Sequence, residues 1–249
     1  MVRMANRLSA TLELPVTISW RRVPLSIRVP AVVNAHGHGS VIVGPNGRID
    51  ARQFTLSGSI FDPNREVIRA KADELLAFLQ HPPIEVFKWP SPDSRRLFAW
   101  PQGVPQDWVD AGAELVVDIP MLAPDPFWYG AEVAETEEDA SEWEVEVVGN
   151  APALPVVTFE IGESGSNLAL VGPGGVIELE GEYEAGDLIT VDTTRFEATL
   201  TRSGDTDPIN DRLSDVFVAD GFVLVPGANA LAYDGPAAAV TLTYRPRWY

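Results

Sequence analysis

The sequence of 249 residues contains no cysteine, which excludes a disulfide framework and any chemistry that depends on a thiolate. Histidine occurs only three times, so a histidine-based metal site has few ligands to draw on. No apolar run approaches the roughly 20 residues that a transmembrane helix requires, and residues 1–10 lack the apolar segment of a signal peptide. These absences predict a globular protein that does not insert into membranes and is not exported by itself.

Basic residues are scarce in the second half of the chain. Up to Gly130 the chain holds 13 Lys and Arg against 13 Asp and Glu, whereas from Ala131 onward it holds 5 against 23. The net charge of −18 therefore belongs entirely to the second half. Such a surface repels phosphate backbones, which argues against direct nucleic-acid binding. The change in composition predicts two domains, residues 1–130 and 147–249, joined by residues 131–146 as an acidic linker or an acidic edge strand.

Residues 62–80 form the one segment whose pattern predicts a long helix. Asp62 suits the N-cap, and Pro63 suits the first helical position, where its missing N–H is not needed. His81-Pro82-Pro83 ends the helix, because proline cannot donate the next helical hydrogen bond. We expect one apolar face to pack on a β-sheet. The residues of that face are Ile68, Ala72, Leu75, Leu76 and Leu79.

Strands and turns dominate the remainder of the chain. Alternating apolar residues predict half-buried strands on both sides of the helix, and the second half predicts short strands separated by glycines. The predicted strands lie in residues 8–33, 54–61, 84–89, 114–119, 155–161, 168–171, 176–180, 187–192, 196–200, 217–218, 221–227 and 238–244. The predicted fold class is therefore mainly β with two domains, an N-terminal β-sandwich-like domain with one α-helix and a C-terminal β-sandwich.

Residues 124–130 combine two prolines with Phe127, Trp128 and Tyr129, and this segment has two interpretations. It could be a rigid corner that packs its aromatic rings at the end of the first domain, or an exposed aromatic binding patch. We favour the packed corner, because large aromatic side chains are usually mostly buried.

Motifs that carry chemistry are few. His36 and His38 would point both rings to one side of a strand, but no further histidine or cysteine ligand lies near them in the sequence. Residues 162–166 lack the spacing of a nucleophile elbow, and residues 171–175 lack the lysine of a phosphate-binding loop. Acidic residues such as Glu178 alternate with apolar residues, and this alternation is typical of strands with one solvent-facing side. A glycosidase hypothesis therefore rests only on the abundance of carboxylates. The sequence predicts no catalytic residue, no cofactor and no metal site.

Three segments together resemble a known protein family. They are residues 47–60 with the helix that follows, residues 122–129, and residues 222–230 with the terminal residues 240–248. The most specific feature is Tyr-Arg-Pro-Arg-Trp after a Pro-Gly-x-Asn turn. On these segments the chain resembles the distal tail proteins of long-tailed bacteriophages, the siphovirus tail-component family, over nearly its whole length.

The resemblance implies an N-terminal β domain that carries a helix and a C-terminal galectin-like β-sandwich. It implies that the N-terminal domains assemble into a hexameric ring, that the C-terminal domains project outward, and that DNA passes through the ring at infection. The implied role is that of a structural virion protein at the tail tip, assembled in the host cytoplasm. This protein would join the tail tube protein to the tail-tip or baseplate hub protein. The family has no catalytic residues to carry over.

A charge-balanced first half suits self-assembly, since ring interfaces cannot bring many like charges together. The polar face of the predicted helix carries both signs, and we expect part of it to lie near a neighbouring subunit. The expected interface residues are Arg65, Arg69, Lys71 and Asp73.

An alternative function is a carbohydrate-binding adhesion module that contacts the host surface through the second domain. Modules of this kind usually present exposed aromatic rings. After Trp143 the second domain has only one further tryptophan, Trp248, and its strong acidity also weighs against adhesion.

Overall fold

The protein divides into two compact units, unit 1 (Met1–Trp128) and unit 2 (Tyr129–Tyr249). The computed structural model describes residues 2–5, 11–14, 19–22, 27–28, 41–42, 48–49, 51–87, 95–103, 109–110, 114–138 and 141–249. His36 and His38 lie outside the described residues. Most described residues belong to β-strands, and one long helix lies in unit 1.

Unit 1 is built on an antiparallel sheet. Its strands are β1 (Val2–Ala5), β2 (Thr11–Leu14), β3 (Ser19–Arg22), β4 (Ile27–Arg28), β5 (Val41–Ile42), β6 (Arg48–Ile49), β7 (Arg52–Phe61), β8 (Ile84–Phe87), β9 (Arg96–Pro101), β10 (Val109–Asp110) and β11 (Glu114–Ala123). A short strand β12 (Trp128–Tyr129) lies at the unit boundary. The main sheet runs in the order β2-β1-β8-β9-β11-β7-β3, β10 pairs with β11, and β4-β6-β5 form a small separate sheet.

The longest pairing in unit 1 joins β7 and β11 residue for residue, from Arg52 opposite Ala123 to Phe61 opposite Glu114. Alternate residues of a strand point to opposite faces of the sheet. One face, the inner face, is fully buried. Its residues include Phe54, Leu56, Ile60, Ile84, Val86, Leu97, Ala99, Leu115, Val117, Ile119 and Met121. Along β11, buried residues that face the core alternate with more exposed residues on the other face.

The long helix α1 (Arg65–Leu79) contacts β7 of the same unit. Its buried residues are Ile68, Ala72, Leu75, Phe78 and Leu79. The predicted stripe is thus correct except that Phe78 is buried in place of Leu76, which is only half-buried.

The start of α1 differs from the predicted one. The N-cap is Asn64, whose Oδ1 accepts a hydrogen bond from the Glu66 N–H at 3.0 Å. Asp62, the predicted cap, instead accepts a hydrogen bond from the Asn64 N–H at 2.9 Å, and Pro63 precedes the helix. Both side chains can cap, and the carboxylate stabilises the turn that leads into the helix rather than the helix itself.

Unit 2 consists of two antiparallel sheets. Its strands are β13 (Val133–Glu137), β14 (Glu142–Val147), β15 (Val156–Ile161), β16 (Gly165–Gly172), β17 (Gly175–Tyr183), β18 (Leu188–Asp192), β19 (Glu197–Arg202), β20 (Asp205–Pro208), β21 (Gly227–Asp234), β22 (Ala238–Tyr244) and β23 (Arg247–Trp248). One sheet has the order β13-β22-β15-β18-β19-β20, and the other has the order β14-β21-β16-β17. A 3₁₀ helix (Asn210–Arg212) and helix α2 (Asp215–Asp220) precede β21.

The two sheets of unit 2 share one hydrophobic core, to which both contribute fully buried side chains such as Phe159 and Val240 from one sheet and Leu170 and Ile177 from the other. Unit 2 is therefore a β-sandwich. Residues 131–146, predicted as a linker or an edge strand, contain two edge strands, β13 and β14, so the linker interpretation is corrected. Val145 and Val147 are buried in the core, and this burial fixes β14 as part of the sandwich.

Two predicted strands in residues 217–227 are wrong. Phe217 and Val218 lie in α2, which Ser214 caps by accepting a hydrogen bond from the Phe217 N–H. A short apolar run does not distinguish helix from strand. Residues 221–227 make only isolated bridges, through Phe222 and Leu224, and the strand begins at Gly227.

Asn229 explains why the chain turns before β21. Its side chain is fully buried and uses both ends of the amide. The Oδ1 atom accepts from the Val225 N–H at 2.8 Å, and Nδ2 donates to the carbonyls of Val225 and Gly227 at 2.8 Å and of Val145 at 3.3 Å. One side chain thus holds the Pro-Gly-Ala-Asn turn and attaches it to β14.

We predict that Asn229→Ala lowers the free energy of unfolding of the protein by about 3 kcal/mol, because several buried backbone groups lose their partner. Chemical denaturation followed by circular dichroism measures this change. The control is Asn150→Ala, at an exposed asparagine that accepts one hydrogen bond from the Tyr249 N–H. Equal losses in the two variants would contradict the assigned role of Asn229.

Candidate oligomer interface

The exposed face of α1 carries the residues that the sequence predicts at a subunit contact. Arg65, Arg69, Lys71 and Asp73 are all exposed. Arg65, Arg69 and Asp73 follow one another at four-residue intervals, and such residues are neighbours on a helix surface. We call these three residues the arginine stripe.

Lys71 does not belong to this stripe. It lies two residues after Arg69, which places it about 200° around the helix axis. Its Nζ atom is 3.7 Å from Oδ2 of Asp62, within ion-pair distance. The structure therefore brings three of the four predicted residues together and places the fourth on the other flank of α1.

The face of the unit 1 sheet opposite the inner face, which we call the outer face, was not predicted from the sequence. Trp100 on β9 lies opposite Leu122 on β11, and Val116 and Pro120 share the face of Leu122. Trp100, Val116 and Pro120 are exposed, and Leu122 is half-buried. The two-residue alternation of residues 114–123 was the signal that could have revealed this face, because it puts apolar residues on both sides of the strand.

The surface of unit 2 has a different character, because acidic residues line its strands. Glu142, Glu144 and Glu146 on β14 are all exposed and point to the same side, while Val145 between them is buried. On β17, Glu180 and Glu182 are also exposed. Rows of like charge on edge strands disfavour edge-to-edge pairing with another copy.

Asp187 is the one buried carboxylate among the residues that the structure describes. Its Oδ1 accepts from Arg202 Nε at 2.8 Å, and its Oδ2 accepts from the Arg202 guanidinium at 2.6 Å and from the Glu184 N–H at 2.8 Å. The hydrogen bonds from Arg202 hold the pKa of Asp187 below its usual value, although burial opposes this shift. A carboxylate bound in this way holds a turn in place and is a poor general acid.

The tryptophans of unit 2 offer little to a sugar. Trp143 packs against the sandwich core, and the ring of Trp248 lies so close to Gly130 that a Cβ atom there would be 3.0 Å from it. Phe196 and Tyr249 are exposed aromatic residues of this unit. In unit 1, Phe127 and Trp128 are buried, as the packed-corner interpretation of residues 124–130 expects.

The described residues support neither a metal site nor a membrane-spanning helix. No three His, Asp or Glu side chains there are grouped so that they could hold a metal ion. None of the helices in that part of the chain has the length and apolarity needed to cross a membrane.

Comparison with known families concerns the second unit. Residues 148–248 match the family model of the siphovirus-type tail component, C-terminal domain. The resemblance to the siphovirus tail-component family is thereby confirmed. No curated protein matches the sequence of the chain.

Solved structures extend the likeness to the whole chain. The Dit protein of phage SPP1, described as a paradigm of the hub adsorption apparatus in phages that infect Gram-positive hosts, is similar over 100% of both chains, with a TM-score of 0.73 and 16% identity. The phage P2 baseplate in its activated conformation with Ca contains a chain similar over 98% of this chain and 97% of its own, with a TM-score of 0.53 and 6% identity. The phage p2 baseplate with Sr gives the same coverage, a TM-score of 0.51 and 7% identity.

At these identities the solved structures establish the fold, so the predicted mainly β fold class is confirmed. The family model matches residues 148–248 to the C-terminal domain of a tail component. Together the comparisons support a structural protein of a phage tail or baseplate.

We predict that Asp187 contributes to the acid stability of unit 2. Its folded-state pKa is lowered, so its stabilising effect is fully present above the unfolded-state value near 3.8 and is lost as the pH falls through the folded-state pKa. Asp187→Asn should therefore cost about 2 kcal/mol at neutral pH and progressively less below about pH 4.

Urea denaturation of the wild type and of Asp187→Asn across this pH range measures the difference. Asp205→Asn, at an exposed acidic residue of β20, is the control and should change the free energy of unfolding little. A gap between wild type and Asp187→Asn that stays constant down to the lowest pH would contradict the assignment.

Proposed function

We propose that this protein is the hub of a phage tail tip, where copies of unit 1 form a hexameric ring that joins the tail tube to the tail-tip or baseplate proteins. The single observation that carries this proposal is the fold match over 100% of both chains to the SPP1 protein that is described as a hub. A fold match that covers both units in the same chain order supports the proposal more strongly than a match to the β-sandwich of unit 2 alone would. The proposed location is the virion, after assembly in the host cytoplasm.

The charge distribution supports the division of roles between the units. Unit 1 has balanced charge, whereas unit 2 carries 5 Lys and Arg against 23 Asp and Glu. Copies of unit 1 can approach one another without a large electrostatic cost, while copies of unit 2 repel one another. This distribution of charge favours ring contacts through unit 1 rather than through unit 2. An acidic unit 2 also avoids trapping DNA.

The partners in this proposal are other copies of the chain, the tail tube protein and a tail-tip or baseplate hub protein. DNA would pass through the ring without being bound, and no membrane insertion is involved. Within unit 1 the arginine stripe on α1 is the proposed subunit contact. Its residues project from a helix whose other side is fixed to the core by Leu75 and its neighbours, so they are presented on a rigid support.

We predict that the purified protein is oligomeric in solution, and that Arg65→Glu combined with Arg69→Glu reduces the oligomer without unfolding the monomer. Reversal of two cations removes attraction and adds repulsion at a contact. Light scattering coupled to gel filtration measures the mass, and circular dichroism checks the fold.

The matched control is Lys71→Glu, on the other flank of the same helix, where the oligomer should persist. A monomeric wild-type protein, both alone and in the presence of the tail tube protein, would refute the proposed function. An oligomer that is equally sensitive to the substitution at Lys71 would refute the assignment of the arginine stripe.

A further inference from the structure

Phe196 in unit 2 adopts a backbone conformation that is unusual for a bulky residue. Its φ is +57°, in the left-handed region, where glycine and asparagine are common and an aromatic residue is an outlier. Phe196 is the last residue of the turn between β18 and β19, which Asp192 stabilises by accepting hydrogen bonds from the N–H groups of Thr194 and Arg195 at 2.9 and 3.2 Å. Glycine or asparagine would suit this turn better, so the turn alone does not explain a phenylalanine here.

Burial does not explain the ring of Phe196 either. At a relative exposure of 45% it is the most exposed aromatic side chain in the described part of the chain. Part of the ring rests on α2, since its centroid lies 5.6 Å from that of Phe217 and a Cβ atom at Gly221 would be 3.4 Å from it. The remainder of the ring is open to solvent, although an exposed aromatic ring contributes little to folding.

Val218 extends the apolar surface of Phe196 along α2. Phe217 is fully buried and marks the side of α2 that faces the core, and Gly221, the C-cap of the helix, lies against the ring of Phe196. Val218 comes three residues before Gly221, a spacing that makes residues neighbours on a helix surface. Its relative exposure is 58%. We call the surface formed by Phe196 and Val218 the Phe196 patch.

Val216 provides a comparison within the same helix. Its relative exposure is 49%, close to that of Val218. It lies two residues before Val218, which places it about 200° around the helix axis, on the flank away from Gly221 and the ring of Phe196. The two valines therefore differ in their position relative to the patch and not in residue type or helix.

The charges around the Phe196 patch are mainly acidic. Glu197 follows Phe196 directly, Asp215 precedes Val218 by three residues, and both acidic residues are exposed. The cation next to them, Arg195, lies within ion-pair distance of Asp192 at 3.6 Å and of Glu197 at 4.0 Å. An apolar centre with an acidic surround complements an apolar segment that is flanked by lysine or arginine. It disfavours contact with the acidic unit 2 of another copy.

We propose that the Phe196 patch is a docking site through which unit 2 holds another protein of the tail tip, by an apolar segment of that protein flanked by lysine or arginine. Backbone outliers cluster at binding sites, where stability is given up for a contact. The patch is small, so it receives a few anchoring side chains of the partner. This inference rests on the proposed hub function and adds a surface that binds a partner outside the ring contacts.

Tails assembled in cells with variant chains test the docking site. Phe196→Asn removes the ring and keeps the turn, because asparagine tolerates a positive φ, and Val218→Ser removes the second apolar side chain. Quantitative mass spectrometry of purified tails measures their composition. We expect each variant to lower the amount of one tail-tip protein at least about tenfold relative to the tail tube protein. Val216→Ser is the matched control and should leave the composition unchanged.

Cross-linking within the same tails identifies the occupant. A photoreactive phenylalanine analogue in place of Phe196 should join to the protein that the variants lose, at a segment that combines apolar residues with lysine or arginine. The same analogue in place of Val216 should not join to it.

A charge reversal tests the acidic surround. Glu197→Lys should lower the amount of the same tail-tip protein, because it brings a cation to the cations of the docked segment. The control is Glu163→Lys at an exposed acidic residue. Asp192, where the turn of Phe196 begins, lies opposite the first residue of β15, whereas Glu163 follows the last, so the control lies at the other end of the strand.

Loss of one protein in the Phe196→Asn and Val218→Ser tails, with a cross-link from position 196 to that protein, supports the inference. Tails of both variants that keep every component overturn it, and so does a cross-link that joins position 196 only to another copy of this chain. Circular dichroism of the purified variants checks the fold, and Val218→Ser carries the test if Phe196→Asn does not fold. If tails assembled with the wild-type chain do not contain it, the proposed hub function itself fails.

Discussion

The register of β7 against β11 is the constraint on which the rest of unit 1 depends. Ten residues of each strand pair without a shift, so each described side chain of the two strands is assigned to one face. A slip by one residue would exchange the two faces and expose Leu115, Val117, Ile119 and Met121 to water. The register therefore gathers the buried apolar residues of β7 and β11 on the inner face, and it leaves Val116 on the outer face.

In unit 2 the side chains of each strand also alternate between two faces, but the exposed face is acidic. Alternation buries one side of each strand in a shared core and covers the other side with acidic residues, as β14 shows with Val145 inside and Glu144 outside. A surface of this charge disfavours contact between copies of unit 2. The charges of the two units thus favour assembly through unit 1, which is balanced, over assembly through unit 2, which is acidic.

The elements that could be predicted from the sequence are those that depend on local periodicity. The period of the apolar residues identified α1 and nearly all of its buried face, and alternation identified most strands of the sandwich. The cap was assigned to Asp62 rather than Asn64 because both residues can cap a helix, and only the backbone geometry decides between them. The strand predicted at residues 221–227 lies before β21, which begins at Gly227. The start of β21 depends on Asn229, whose side-chain amide donates a hydrogen bond to the carbonyl of Val145, a residue far away in the sequence.

The sequence did not show which of the four candidate interface residues share one side of α1, for a similar reason. Four charged residues were grouped by their proximity in the sequence, but the helix turns Lys71 toward Asp62 and away from Arg69. The outer face required the pairing of β9 with β11, which brings Trp100 beside Leu122 and is not visible in either segment alone. We propose that copies of unit 1 close into a ring. Class-averaged electron micrographs of the purified protein test this assembly directly: we expect closed rings with six-fold symmetry, and particles that show only isolated monomers, with or without the tail tube protein, would contradict it.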